Sequence, residues 1–409
     1  MTAPLLIENA LLVDAAADAP RPGSLLVADG RIAALNPPDI PADAERIDAG
    51  GQWLTPGLID LGVFATDKPA FHFGGITRAA LMPDGSHPLD NPGLVERAAK
   101  GGKPDLWVHP LAAATKGLAG AELAEIALMQ SAGARGVATG RTRIANTAVM
   151  RRVLAYAAAL DLTLVVHAED EALVAGAAAT EGEVATRLGL PAAPAVAEAI
   201  AVARDLLLAE DTGAAIHFRQ VTTGAAFDLI RSAKARGVQV TAGITPAHLL
   251  LSDIATVDFR TFSRLSPPLR GEADRQAALA AVADGTIDIL ASGHDPRGPE
   301  DKRLPFAEAQ PGMAGAESLL ALGLGLMRDG IVTPGRLFAL LAANSARLLG
   351  VNAGQLTIGA EADLLLVDAD RPWRIDAKKM AASAGNTPFD GLPVQGRVTA
   401  MWKGGARVR

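Results

Sequence analysis

Short apolar runs punctuated by turn residues open the chain. Leu5-Leu6-Ile7, Leu11-Leu12-Val13 and Ser24–Ala28 predict strands, and Asp29-Gly30 turns the last of these into Arg31–Leu35. Asp-Gly between apolar runs is a hairpin signal, because glycine adopts positive φ without steric cost. After Pro56-Gly57 the period changes. Apolar strands (Leu58–Leu61, Leu162–Val166, Val238–Thr241, Ile287–Leu290) alternate with Ala-rich helical segments at Ala121–Ser131, Thr147–Leu160, Ala195–Ala209 and Ala225–Arg236. This alternation predicts a parallel β/α architecture, and a (β/α)8 barrel is the closed form that suits the length. From Gln355 onward the texture is β again, with Ala362–Val367, Val398–Trp402 and a turn at Lys403-Gly404-Gly405. The expectation is therefore a TIM barrel over residues 55–354 and a small composite β-sandwich domain built by residues 1–54 and 355–409.

Composition narrows the chemistry. The 409 residues are 49% hydrophobic and 20% charged, which excludes disorder and leaves room for a large core. With 38 Lys+Arg against 45 Asp+Glu the formal charge is −7, and the basic residues are scattered, so nucleic-acid binding has no support. No cysteine is present, so disulfides and thiolate metal sites are impossible. Met1-Thr2-Ala3-Pro4 lacks a charged leader region, and no run has the length and apolarity of a membrane span, so a cytoplasmic protein is expected.

Seven histidines remain as candidate ligands: His72, His87, His109, His167, His217, His248 and His294. The spacing of His72, His87 and His109 matches no metal motif. His294 and Asp295 are adjacent and hence point to opposite sides of a strand, which argues against an acid–base pair. His167 has Glu169 as a natural hydrogen-bond partner. Lys116, in Thr115-Lys116-Gly117-Leu118, precedes a helix and has no histidines with which to share a metal pair.

Several motifs, in order, resemble the amidohydrolase superfamily and within it dihydroorotase. They include Thr55-Pro56-Gly57-Leu58-Ile59-Asp60-Leu61, Gly74-Gly75-Ile76-Thr77 with Met82-Pro83, Val166-His167-Ala168-Glu169-Asp170, Thr245-Pro246-Ala247-His248, Pro267-Pro268-Leu269-Arg270, Asn386-Thr387-Pro388-Phe389 and Gly359–Leu364. The resemblance covers essentially the whole chain. It is shortened by about a dozen residues between Pro69 and Gly74, in a loop at the rim of such a barrel's active site.

That resemblance implies divalent metal at the barrel mouth, held by imidazoles and carboxylates. The family's His-x-His pair corresponds to Gly62 and Phe64, and its substrate-gripping arginine to Thr66. Its Asp-Asp-Gly carboxylates fall on Thr139 and Gly140, its sixth-strand ligand on Gln220 and its proton-shuttling aspartate on Gly293. His167 alone survives at a ligand position. Substrate positions have changed in parallel to Asp84, Ser266 and Arg297, and Asp84 is expected to repel a dianion. One imidazole cannot hold a catalytic zinc, so no cofactor is expected and zinc should be absent.

The resemblance accordingly implies a dihydroorotase-like pseudoenzyme. Its expected role is that of a non-catalytic subunit self-associating and holding aspartate transcarbamoylase in a mixed oligomer, a dodecamer, of pyrimidine synthesis. Two other classes stay open: a cyclic-amide hydrolase with a rebuilt or metal-free site, and a small-molecule sensor that uses the old pocket without turnover.

Overall fold

The computed structural model describes residues 3–409; Met1 and Thr2, part of the stretch read against a leader segment, lie outside the described residues. Eight parallel strand positions follow one another through the middle of the chain. They are Leu58–Val63, Ile76–Leu81, Trp107–Pro110 with Ala112–Ala113, Val137–Ala138, Leu164–Val166, Ile216–Phe218, Val240–Ile244 and Ile289–Leu290. The ring closes between its last and first members. Phe64 donates its N–H to the His294 carbonyl at 3.0 Å, and the buried Asp60 carboxylate accepts the Ser292 N–H at 2.9 Å and the Ser292 hydroxyl. Burial pushes the Asp60 carboxyl up from its ordinary value, against the Ser292 hydrogen bonds.

The strands read as continuous apolar runs because both faces are covered, by helices outside and by packed side chains inside. Ile59, Leu61, Ala80, Met82, Leu111, Ala138, Val165 and Ile289 fill the interior. Among the helices, Thr147–Ala159 starts on Asn146, whose side chain accepts from the N–H groups of Ala148 and Val149. Val196–Thr212 ends on Gly213 at φ 67°. The expected helix from Ala121 begins only at Ile126, because Leu123 bridges Thr115 and keeps the preceding residues extended.

Both chain ends build the second unit. Leu5–Leu12, Arg21–Ala28, Arg31–Leu35, Glu45–Asp48 and Trp53–Pro56 join Leu364–Arg374, Pro393–Lys403 and Ala406–Arg407 in one hydrogen-bonded eight-stranded sheet around its own apolar cluster. The two strands expected at Leu5–Ile7 and Leu11–Val13 are one strand. Its register slips between Ile7 and Ala10, where Asn9 takes φ 55° and absorbs the extra residue as a bulge. Arg78 ties the units together, buried against Asp363 at 2.7 Å and paired with Glu361. Among the described residues no helix is long and apolar enough to cross a membrane.

A cationic cavity at the barrel mouth

In a (β/α)8 barrel the residues just past the strand C-termini converge on one face. Here they surround a cavity of about 240 Å³ lined by Phe64, Arg141, Arg219, Gln220, His248 and Asp295 together with Leu265, Ser266, Gly293 and the Pro311-Gly312-Met313 loop. Four of the sequence-derived positions, Phe64, Gln220, Ser266 and Gly293, thus share its wall. Gly62, His167 and Arg297 adjoin it through the side chains they touch. Thr139 lies just behind, its hydroxyl accepting the His167 N–H at 3.2 Å. Thr66, in the loop after the first strand, is not part of the lining.

The glycines at three expected ligand positions are tightly packed. A Cβ on Gly62 would stand 2.9 Å from Arg219 Cδ, one on Gly140 2.7 Å from Asp84 Oδ1, and one on Gly293 2.9 Å from both Met313 Cε and Thr245 Cγ2. All three also adopt positive φ, at 90°, 88° and 62°, where a side chain adds strain. Gly140 explains Asp84, whose carboxylate does not line the cavity as expected. It turns to accept the Arg141 N–H at 2.7 Å, and burial pushes its pKa up, so its influence on the cavity is exerted at a distance.

Arg219 dominates the site. It follows the sixth strand, is 5% exposed, and donates from Nη1 to Gln220 Oε1 at 2.9 Å. Its Nη2 lies 3.4 Å from His167 Nδ1, and its Nε has no partner. Burial lowers its pKa to about 10, opposed by the more distant Asp84, Asp295 and Glu169, so the guanidinium is charged at neutral pH. Arg141 clasps Asp295 with both Nη atoms and stacks 3.7 Å from the Phe64 ring centroid; Arg219 is 4.9 Å from the same ring. Arg297 adds a third cation, 3.1 Å from Asp295.

The remaining histidines are engaged elsewhere. His167 Nε2 faces Glu169 at 3.3 Å. His248 uses both nitrogens, on Thr245 Oγ1 at 2.8 Å and the Pro267 carbonyl at 3.0 Å, and burial holds its pKa down at about 4. His217 bonds Thr241 and is held at about 3 by burial and the nearby Arg219. His294 turns away from the cavity toward Asp67 at 3.5 Å and Phe71, whereas its neighbour Asp295 faces in. Burial resists ionisation of Asp67, but the nearby His294 imidazole and the hydrogen bond from the Ser383 N–H prevail and lower it to about 2. His72, His87 and His109 do not come together: His72 is on the helix Lys68–Gly74, His87 beside Ser86 and His109 beside Arg78. Lys116 pairs with Glu122 on the surface.

This donor set does not fit a divalent metal. Gln220's oxygen already accepts from Arg219, His167 is held between Arg219 and Glu169, and a fixed guanidinium repels a cation from their midst. Among the described residues no three of His, Cys, Asp and Glu are grouped so as to hold an ion. Arg219 is legible beside Gln220 in the sequence, whereas the Arg141–Asp295 clasp joins residues far apart in the chain and carries no local signal.

Residues 51–225 match the family model described as dihydro-orotase-like. A protein named dihydroorotase from Pelotomaculum thermopropionicum is 38% identical, covering 98% of this chain and 97% of that protein. Another of the same name from a Geobacter species is 36% identical, covering 96% of each. Among solved structures, the L-hydantoinase (dihydropyrimidinase) of Arthrobacter aurescens superposes with a TM-score of 0.88 at 25% identity, covering 100% of this chain and 96% of that one.

Proposed function

The chain belongs to the dihydroorotase-like family of amidohydrolases, and from that premise we propose that it has kept the family's barrel while losing its metal-dependent ring chemistry. In this reading it is a zinc-free pseudoenzyme. The packing at Gly62, Gly140 and Gly293 carries the proposal, because the space for three ligand side chains is filled by Arg219, Asp84 and Met313. Simple loss of ligands would leave voids, and these positions have been repacked. The role proposed is that of a structural subunit holding the catalytic subunit of aspartate transcarbamoylase in a mixed oligomer. Val196, Ile200 and Leu207, all exposed along one stripe of the helix Val196–Thr212, support an assembly role.

The names of the relatives favour a competing reading, a cyclic-amide hydrolase with a rebuilt site. Metal-free hydrolysis needs a base aimed at the cavity. His248 is committed on both nitrogens, His294 faces the other way, and Asp295, which faces in, is clasped by Arg141 and Arg297, which weighs against it.

The purified chain should contain well under one equivalent of zinc and open no dihydropyrimidine ring with added zinc or manganese. Mixed with aspartate transcarbamoylase of the same organism, it should move that enzyme to a larger species on a sizing column. Stoichiometric zinc with turnover would overturn the pseudoenzyme reading; two unshifted peaks would overturn the assembly role.

A further inference from the structure

Buried arginines elsewhere in this fold meet carboxylates. Arg78 pairs with Asp363, and Arg270 lies 3.0 Å from Glu169 and 3.5 Å from Glu198. Arg219 meets only an amide oxygen and an imidazole nitrogen, with its Nε unpaired. A buried cation so provided for is costly, and a structure that retains one beside a cavity has a ready place for a counter-charge. Arg141 adds to this, since a second guanidinium lies over the same Phe64 ring and its one carboxylate, Asp295, is shared with Arg297.

We propose that the cavity is a binding site for a small organic carboxylate, held by Arg219 and Arg141 above the Phe64 ring, with Gln220 and Ser266 as neutral partners. The local charge agrees. Asp295 is shared by Arg141 and Arg297, and Glu169 is engaged by Arg270 and His167. Asp84 is turned to the Arg141 N–H and does not line the space, so no carboxylate contacts the Arg219 guanidinium directly. A planar carboxylate suits the planar Arg219 guanidinium, whose Nε–H is unpaired, and Arg141, its end-on N–H pair given to Asp295, adds its charge beside it. The cavity of about 240 Å³ selects a compact ligand. The site uses a guanidinium at the centre of the mouth, and it binds without turnover.

The inference rests on the reading of the mouth as metal-free, but its failure is separable. Binding is measured on chelator-treated protein, whereas zinc content and ring opening are measured on untreated protein. Isothermal titration with malonate, with acetate and inorganic phosphate as alternatives and chloride held constant, should give saturable one-to-one binding of malonate in the millimolar range or tighter. Arg219→Met should weaken it at least tenfold, Arg219→Lys and Arg141→Met should each weaken it severalfold, and Lys100→Met, exposed at the end of the helix Pro92–Lys100 that leads into the N-terminal end of a barrel strand, should leave it unchanged. The Arg219 Nε–H resonance should shift with the same saturation curve, which tests the site even if a variant fails to fold. No saturable carboxylate binding, equal binding by Arg219→Met, or tighter binding of phosphate than of malonate would each overturn the proposal.

Discussion

Two buried arginines at the same end of the barrel are treated in opposite ways. Arg270 donates from Nε to Thr222 Oγ1 at 2.9 Å, from Nη1 to Thr180 Oγ1 at 3.2 Å and from Nη2 to Glu169 at 3.0 Å. The Glu198 carboxylate behind it also accepts the N–H and hydroxyl groups of both Thr222 and Thr223. Every arm of that guanidinium ends on an acceptor. Arg219, equally buried, has a neutral acceptor on one arm and none on Nε. The difference separates charge that holds a fold together from charge held ready for something else: the first is neutralised within the protein, the second is left open.

The comparison presumes that burial is expensive for any charge this barrel contains, and the histidines test that presumption most strongly. Unlike arginine, imidazole can shed its charge. Burial lowers His109 and His217 to about 3 and His248 to about 4. Between these values and about 6.5 the unfolded chain binds protons that the folded chain does not, so their contribution to stability falls as pH falls through that window. Together they should cost about 7 kcal/mol between pH 7 and pH 4.5, seen as a falling urea midpoint. Their ring resonances should remain those of neutral imidazole down to pH 5. Titration of His217 or His248 near 6.5 would mean that the mouth is wetter than its packing indicates, and the contrast between the arginines would lose its force.

The paired arginine offers the next test. Glu198→Ala leaves Arg270 with one carboxylate and strips four donors on Thr222 and Thr223 of their acceptor. Breaking a buried network of this kind should cost about 3–5 kcal/mol, read from equilibrium unfolding. A loss below about 1 kcal/mol would show the network to be ornamental.

How much of this contrast could be read from the sequence depends on whether the residues involved are neighbours in the chain. The strand and helix alternation, the Asp29-Gly30 hairpin and the β texture at both ends are local patterns, and they appear as expected. The identities at Gly62, Phe64, Gln220 and Gly293 could be compared with a family pattern because the flanking motifs fix their places. What occupies the vacated space could not. Arg219 lying against Gly62, Asp84 turning under Gly140 and Met313 covering Gly293 are contacts between distant segments. The helix expected from Ala121 starts only at Ile126 for the same reason, since the bridge of Leu123 to Thr115 is set by tertiary context, which overrides the helix propensity of the alanines.

The smallest effect is the most discriminating. Arg219→Met removes a buried cation that has no carboxylate partner and replaces it with an apolar side chain of similar reach. If Arg219 were structural, its loss would resemble the loss of Glu198, because Gln220 and His167 would be left without their donor. If it is open charge, relief of its desolvation offsets the lost hydrogen bond to Gln220. The unfolding free energy measured in carboxylate-free buffer should then change by no more than about 1 kcal/mol in either direction. The same measurement in malonate sharpens the result. A ligand that binds only the folded chain stabilises it in proportion to its saturation, so wild type should gain stability over the variant as malonate rises. A variant that unfolds by several kcal/mol in plain buffer would place Arg219 with Arg270, among the charges that hold the barrel together.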